Sequence, residues 1–123
     1  MFNVPAFAGS LISAELLLNT YSNQIPTGVE RYLLREVTTP IATLEAGGSG
    51  LTAIYDDLAD GPIYSVRNIR SWEEGQKAVI PLNGVFINAA TAAAGGQIAL
   101  GGSLPDLDAT DHNETFFGFS GAS

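Results

Sequence analysis

Glycine and proline cut this chain into short pieces. Gly61-Pro62, Gly95-Gly96, Gly101-Gly102 and the run Gly47-Gly48-Ser49-Gly50 separate short apolar stretches. Glycine loosens the backbone and proline removes a hydrogen-bond donor, so neither readily continues a helix or a central strand. With fourteen glycines and six prolines in 123 residues, short strands joined by turns are expected rather than long helices. The apolar share of 46% is enough for a packed core and separates the chain from a disordered one. The length fits one domain, residues 1–123.

Periodicity places the elements. LISAELLL at 11–18 alternates and predicts a strand with Ile12, Ala14, Leu16 and Leu18 inward, although Glu and Leu also suit a helix. VERYLLREV at 29–37 predicts a second strand. Thr39-Pro40 predicts the start of a short helical turn through Leu44, with the threonine as its cap. Leu51, Ile54, Tyr55 and Leu58 share one helical face that ends at Gly61-Pro62. Residues 63–69 alternate, with Tyr64, Val66 and Asn68 on one side. Residues 73–76 read as a loop, and 77–82 as a strand with Ala78, Ile80 and Leu82 on one face. The alanine-rich stretch 85–94 predicts a helix closed by Gly95-Gly96. Residues 97–100 and 115–119 read as further strands, the last with Phe117 and Phe119 on one face. The expected class is all-β, a β-sandwich with two or three short helical turns in its connections.

Charge narrows the partners. Thirteen acids against five basic residues give a net charge of −8. A nucleic-acid binder needs a basic footprint to neutralise phosphates, and an anionic membrane surface would repel this chain too. No apolar run approaches the roughly 18 residues of a membrane span. No cysteine is present, so disulfides and thiolate metal sites are excluded. The N-terminus lacks the basic region of a secretory signal, so a protein working outside the cell is expected to have a processed N-terminus or to be released by lysis, as with virus particles.

Chemistry-bearing clusters are few. DLDATDHNE offers oxygen donors from Asp106, Asp108 and Asp111, a possible calcium site, but lacks the glycine and bidentate glutamate of an EF-hand. Aspartate and asparagine are equally good turn formers. His112 is the only histidine, too few nitrogens for zinc, and no Gly-x-Ser-x-Gly elbow presents a nucleophile. Asp56, Asp57 and Asp60 read as a solvated helix face, and Glu73-Glu74 as a loop tip. Trp72 ends a predicted strand and is the aromatic best placed for contact with a carbohydrate. No enzymatic activity is expected.

Four phrases, FNVPAFAGSLISAELLL, TTPIATLEAGGSGLTAIYDDL, VIPLNGVFINAATAAAGGQIALGGSL and NETFFGFSGAS, stand in that order. Together they resemble a β-sandwich module of secreted environmental-bacterial proteins that carry Pro-Glu-Pro type sorting tails. That module is similar in outline to jelly-roll carbohydrate-binding modules. The resemblance implies a jelly-roll-like sandwich, here without the tail and without the strand or strands that usually precede FNVPAFAGS. The expectation is an exposed strand edge covered by a partner. Phe2, Val4 and Phe7 are then the expected interface, in a dimer or trimer that also contacts a major capsid or other structural protein. The function expected is a bacteriophage capsid cement or decoration protein on the virion surface. The alternatives are an extracellular carbohydrate-binding or adhesive module, and a filament subunit assembled by strand exchange.

Overall fold

The structure, a computed structural model, describes residues 1–20, 28–49 and 52–105. The strand expected at 115–119 lies outside them. Seven strands are described: β1 (Phe2–Asn3), β2 (Glu15–Asn19), β3 (Val29–Glu36), β4 (Ile63–Arg70), β5 (Lys77–Pro81), β6 (Gln97–Ile98) and β7 (Leu100–Ser103). Three short helices fall where periodicity places them: α1 (Ile41–Ala46), α2 (Thr52–Asp60) and α3 (Gly84–Ala92). The strands form three small antiparallel sheets, β1 with β6, β2 with β5, and β4-β3-β7. The fold is mostly β, with no sheet wider than three strands among the described residues.

The core lies between layers. Leu34 of β3 and Tyr64 of β4 pack with Ile80 of β5, Ile98 of β6, and Phe86 and Ala90 of α3. Leu16 and Leu18 face this cluster from β2, as alternation predicts, opposite Ile80 and Ala78. Ile12, expected inside with them, is 90% exposed. The ladder with β5 reaches only as far as Ala14, whose carbonyl accepts from the Leu82 amide at 3.0 Å. Ile12 therefore precedes the paired segment. Helix α2 covers the other face of β3 and β7, where Gly101 lets it approach: a Cβ there would stand 2.8 Å from the Leu58 carbonyl oxygen.

A bulge in β4 overrides simple alternation. Leu34 pairs with Ser65 and Arg35 with Ile63, so Tyr64 is the extra residue. Tyr64 and Ser65 are consequently both buried, while Val66 and Asn68, expected to share a face with Tyr64, are exposed. Asn83 ties the bulge to α3. Its side-chain carbonyl accepts from the Val85 and Phe86 amides at 3.0 and 3.2 Å, an N-cap. Its side-chain amide donates to the Ile63 carbonyl at 2.8 Å, and its backbone N–H to that of Tyr64 at 2.9 Å. This seats Phe86 edge-on against Tyr64, with ring centroids 5.2 Å apart and planes at 82°.

Two acidic residues have structural partners that their sequence neighbourhood does not announce. Glu73 is not a loop tip but buried, in a 3₁₀ turn spanning Ser71–Glu73. Its carboxylate pairs with Arg67 and accepts from the Arg70 amide at 2.7 Å. Thr20, also buried, donates to the carbonyl oxygens of Glu73 and Gln76, fastening the end of β2 to this turn. Asp57 on α2 accepts from the Thr38 amide and hydroxyl at 3.2 and 2.6 Å, and from those of Thr39 at 2.7 and 2.5 Å. Thr39 is therefore not the cap of α1; Pro40 holds that position without a side-chain bond.

The Asp57 clamp carries a pH signature. The Thr38 hydroxyl first, then the Thr39 hydroxyl and amide, hold its carboxyl well below the usual carboxylate range. A folded pKa below the unfolded value of about 3.9 contributes stability above that value, and loses it as pH falls further. Asp57→Asn is expected to lower Tm at pH 7 by roughly 3–5 °C, the cluster being surface-exposed and screened. The gap to wild type should shrink toward pH 2. Thermal unfolding of both proteins from pH 7 to 2 checks this; a gap that stays constant would refute the clamp.

Candidate functional site: an apolar groove beside an open strand edge

The N-terminal segment is held in place by the chain itself. Phe2 and Asn3 pair with Ile98 and Gln97. The Val4 amide donates to the Gly96 carbonyl, and the Gly95 amide to the Val4 carbonyl, each at 2.9 Å. The Gln97 side-chain amide donates to the Asn3 side-chain carbonyl at 3.0 Å. Gly95, at φ 80°, makes the turn that brings the end of α3 against this strand. One edge of β1 is thus covered by β6.

What this pairing creates is a groove of about 280 Å³. Phe2, Val4 and Phe7 line it from the N-terminal segment, together with Leu11, Ala14 and Leu16. Leu82, Phe86, Ala90, Ile98 and Leu100 also line it. All three residues expected at an interface therefore meet in one place, next to the β6 residues that pair with β1 from a distant part of the sequence. Phe2 remains 48% exposed and Phe7 38%. Large apolar side chains left this open beside a groove are the usual mark of a surface that meets something else. Among the described residues, Glu15 is the sole charged one lining the groove.

Strand β2 runs along this groove, and its backbone pattern matters. Its ladder with β5 uses the even residues: the Leu82 amide bonds the Ala14 carbonyl and the Thr20 amide the Gln76 carbonyl, with Leu16 opposite Ile80 and Leu18 opposite Ala78. In an antiparallel ladder the intervening residues point their N–H and C=O groups the other way. Glu15, Leu17 and Asn19 therefore present an edge that no described strand occupies. The free edge of β5 is treated differently: Ser65 and Arg67 side chains donate to the Pro81 and Val79 carbonyls at 2.6 and 3.2 Å.

Known proteins offer no guide here: no family model, curated protein or solved structure matches the chain.

The other sequence candidates separate. Trp72 stands on the 3₁₀ turn, 65% exposed, its carbonyl accepting from the Gln76 side chain at 3.1 Å. It does not line the groove. Asp106, Asp108, Asp111 and His112 lie outside the described residues, so the possible calcium site is untouched by the geometry. Among the described residues no cluster of three or more metal-ligating side chains occurs, and no helix is long and apolar enough to cross a membrane. Sequence reasoning found the N-terminal wall of the groove and missed the rest. Leu82 reads as one face of a strand, and Phe86 and Ala90 as part of an alanine-rich helix, with no local signal that they line a groove.

Proposed function

We propose that this protein is a non-enzymatic assembly module that works through the N-terminal groove and the open edge of β2. The observation that carries the reading is the convergence of Phe2, Val4 and Phe7 with a strand edge that no described strand occupies, on one surface nearly charge-free among the described residues. An edge of this kind accepts an extended segment, with main-chain hydrogen bonds supplying affinity and side-chain pockets supplying register. The setting that suits it is the surface of a bacteriophage particle, as a jelly-roll-like capsid cement or decoration protein in a dimer or trimer against a structural protein of the shell. Contacts made only by the folded, assembled state stabilise both partners by mass action. A filament built by strand exchange uses the same edge in an open-ended series.

Charged substitution of the rim tests the reading. Phe2→Asp with Phe7→Asp places two carboxylates on groove walls that are already partly solvated, so folding should survive. Self-association or shell binding should weaken by at least tenfold, measured by light scattering behind size exclusion and by co-sedimentation with particles. A double variant that associates as wild type does would refute the interface.

A further inference from the structure

We infer that Asn83-Gly84, at the start of α3, is a modification site: Asn83 deamidates in the folded protein, and the product releases α3 from the bulge in β4. The chemistry stands apart from the assembly reading; its effect on association rests on that reading.

The sequence supplies the reactive pair. Of the asparagines in the chain, Asn83 alone is followed by glycine. Asparagine is thermolabile because the next backbone nitrogen can attack its side-chain carbonyl carbon, and glycine offers no side chain to hinder the approach. The structure keeps the pair accessible. Asn83 and Gly84 are both exposed, and nothing lies within 4 Å of where a Gly84 Cβ would stand.

Each atom of the reaction has a place. The nucleophile is the Gly84 nitrogen. Gly84 is the first residue of α3, so its N–H has no intrahelical carbonyl to bond, and its attack leaves the helical ladder intact. The electrophile is Asn83 Cγ, whose oxygen already accepts from the Val85 and Phe86 amides at 3.0 and 3.2 Å. Two N–H groups at the positive end of a helix stabilise the oxyanion that forms as the nitrogen adds. The leaving nitrogen, Nδ2, donates to the Ile63 carbonyl at 2.8 Å. As the ring closes, the Gly84 nitrogen loses its proton to water, the Cγ–Nδ2 bond breaks, and Nδ2 departs as ammonia. Water then opens the five-membered imide at either carbonyl, giving aspartate or isoaspartate with one new carboxylate. Closure turns Asn83 ψ away from −179°, a rotation that the open space around Gly84 permits.

The product undoes the tie between α3 and β4. Aspartate caps a helix as well as asparagine does, but it sets a carboxylate against the Ile63 carbonyl where a donor stood. Isoaspartate lengthens the main chain by one carbon and displaces the cap as well. Either product loosens the start of α3, and with it Phe86 and Ala90, which line the groove.

The test follows the full chain by peptide mapping, with an enzymatic assay for isoaspartate. Native protein at neutral pH and physiological temperature should convert Asn83 at least tenfold faster than Asn3, Asn68 or Asn88. Its rate should lie within a factor of ten of that in the same chain unfolded in urea. Gly84→Ala, folded by circular dichroism, should convert at least tenfold more slowly. Asn83→Asp, which reproduces one product, should lower Tm by roughly 3–8 °C. Native Asn83 that stays intact while the unfolded chain converts overturns the inference, because the cap then protects the residue. So does Gly84→Ala converting as fast as wild type, or Asn83→Asp with a Tm at or above that of wild type. Light scattering then reads the effect on the groove: converted protein should associate at least tenfold more weakly than fresh protein, and equal association overturns the loosening of its wall. A wild type that never associates, yet shows the expected conversion and Tm, refutes the assembly reading and leaves the modification intact.

Discussion

Gly61→Ala is expected to destabilise the fold by about 3 kcal/mol, at the upper end of what overpacking costs. A Cβ at this position would stand 2.2 Å from the Glu36 carbonyl oxygen and 3.0 Å from its carbonyl carbon. Both are backbone atoms in β3, so no side chain can swing aside to relieve the overlap. Moving the turn instead costs what the turn holds. The Gly61 carbonyl accepts from the Arg35 guanidinium at 2.8 Å, and the Pro62 carbonyl from the Glu36 amide at 2.9 Å. These bonds fix where β4 begins, and so fix the bulge that turns Tyr64 inward. Gly84→Ala is the matched control. Nothing lies within 4 Å of a Cβ there, and the residue is helical, so alanine should be neutral or stabilising by up to ~1 kcal/mol. Urea denaturation of both variants decides the matter: a loss at Gly61 below about 1 kcal/mol would mean the close approach relaxes freely.

The two glycines also show where sequence reading stops. Gly61-Pro62 is legible as a helix stop, because that role is local. Its contact with Glu36 is not, because it depends on β3 and β4 lying side by side. The same division runs through the fold. Leu16, Leu18, Ala78 and Ile80 alternate in strands that obey alternation, and their inward faces were readable. Tyr64 was misplaced with Val66 because a bulge adds one residue and no residue type announces it. Glu73 reads as a loop tip because its partner Arg67 is in another element, and a carboxylate buried against such a partner has no signature of its own. Asp57 looked solvated for the same reason, its four donors coming from Thr38 and Thr39. At the groove, the apolar crowding of Phe2, Val4 and Phe7 was visible as a pattern with nothing to bury it. The part that α3 contributes was not, since a helix residue such as Phe86 comes to line a surface only through long-range packing.

Phe86 is where fold and function meet, and Phe86→Ala should cost about 3–5 kcal/mol. Its ring fills the space between α3 and the bulge, and the edge-on contact with Tyr64 adds to the burial. Tyr64 has no freedom to follow it. The tyrosine is fully buried, and its neighbours Ile63 and Asn83 are bonded to each other. Its hydroxyl pKa is pushed up to about 12, by burial first and then by the Glu36 carboxylate, so it stays neutral at any pH where the protein would be studied. The space left by alanine is therefore not refilled from below, and opens instead into the groove above, which Phe86 also lines. A domain of this size has on the order of 5–15 kcal/mol to lose, so the variant should remain folded at low temperature with a much lower Tm. Phe86→Leu keeps most of the volume and should recover more than half of the loss. The groove of the alanine variant should be deeper, and its self-association or shell binding should change even at temperatures where circular dichroism is native. Unfolding curves and association measurements on the two variants separate the roles: a stability loss with unchanged association would place Phe86 in the core alone.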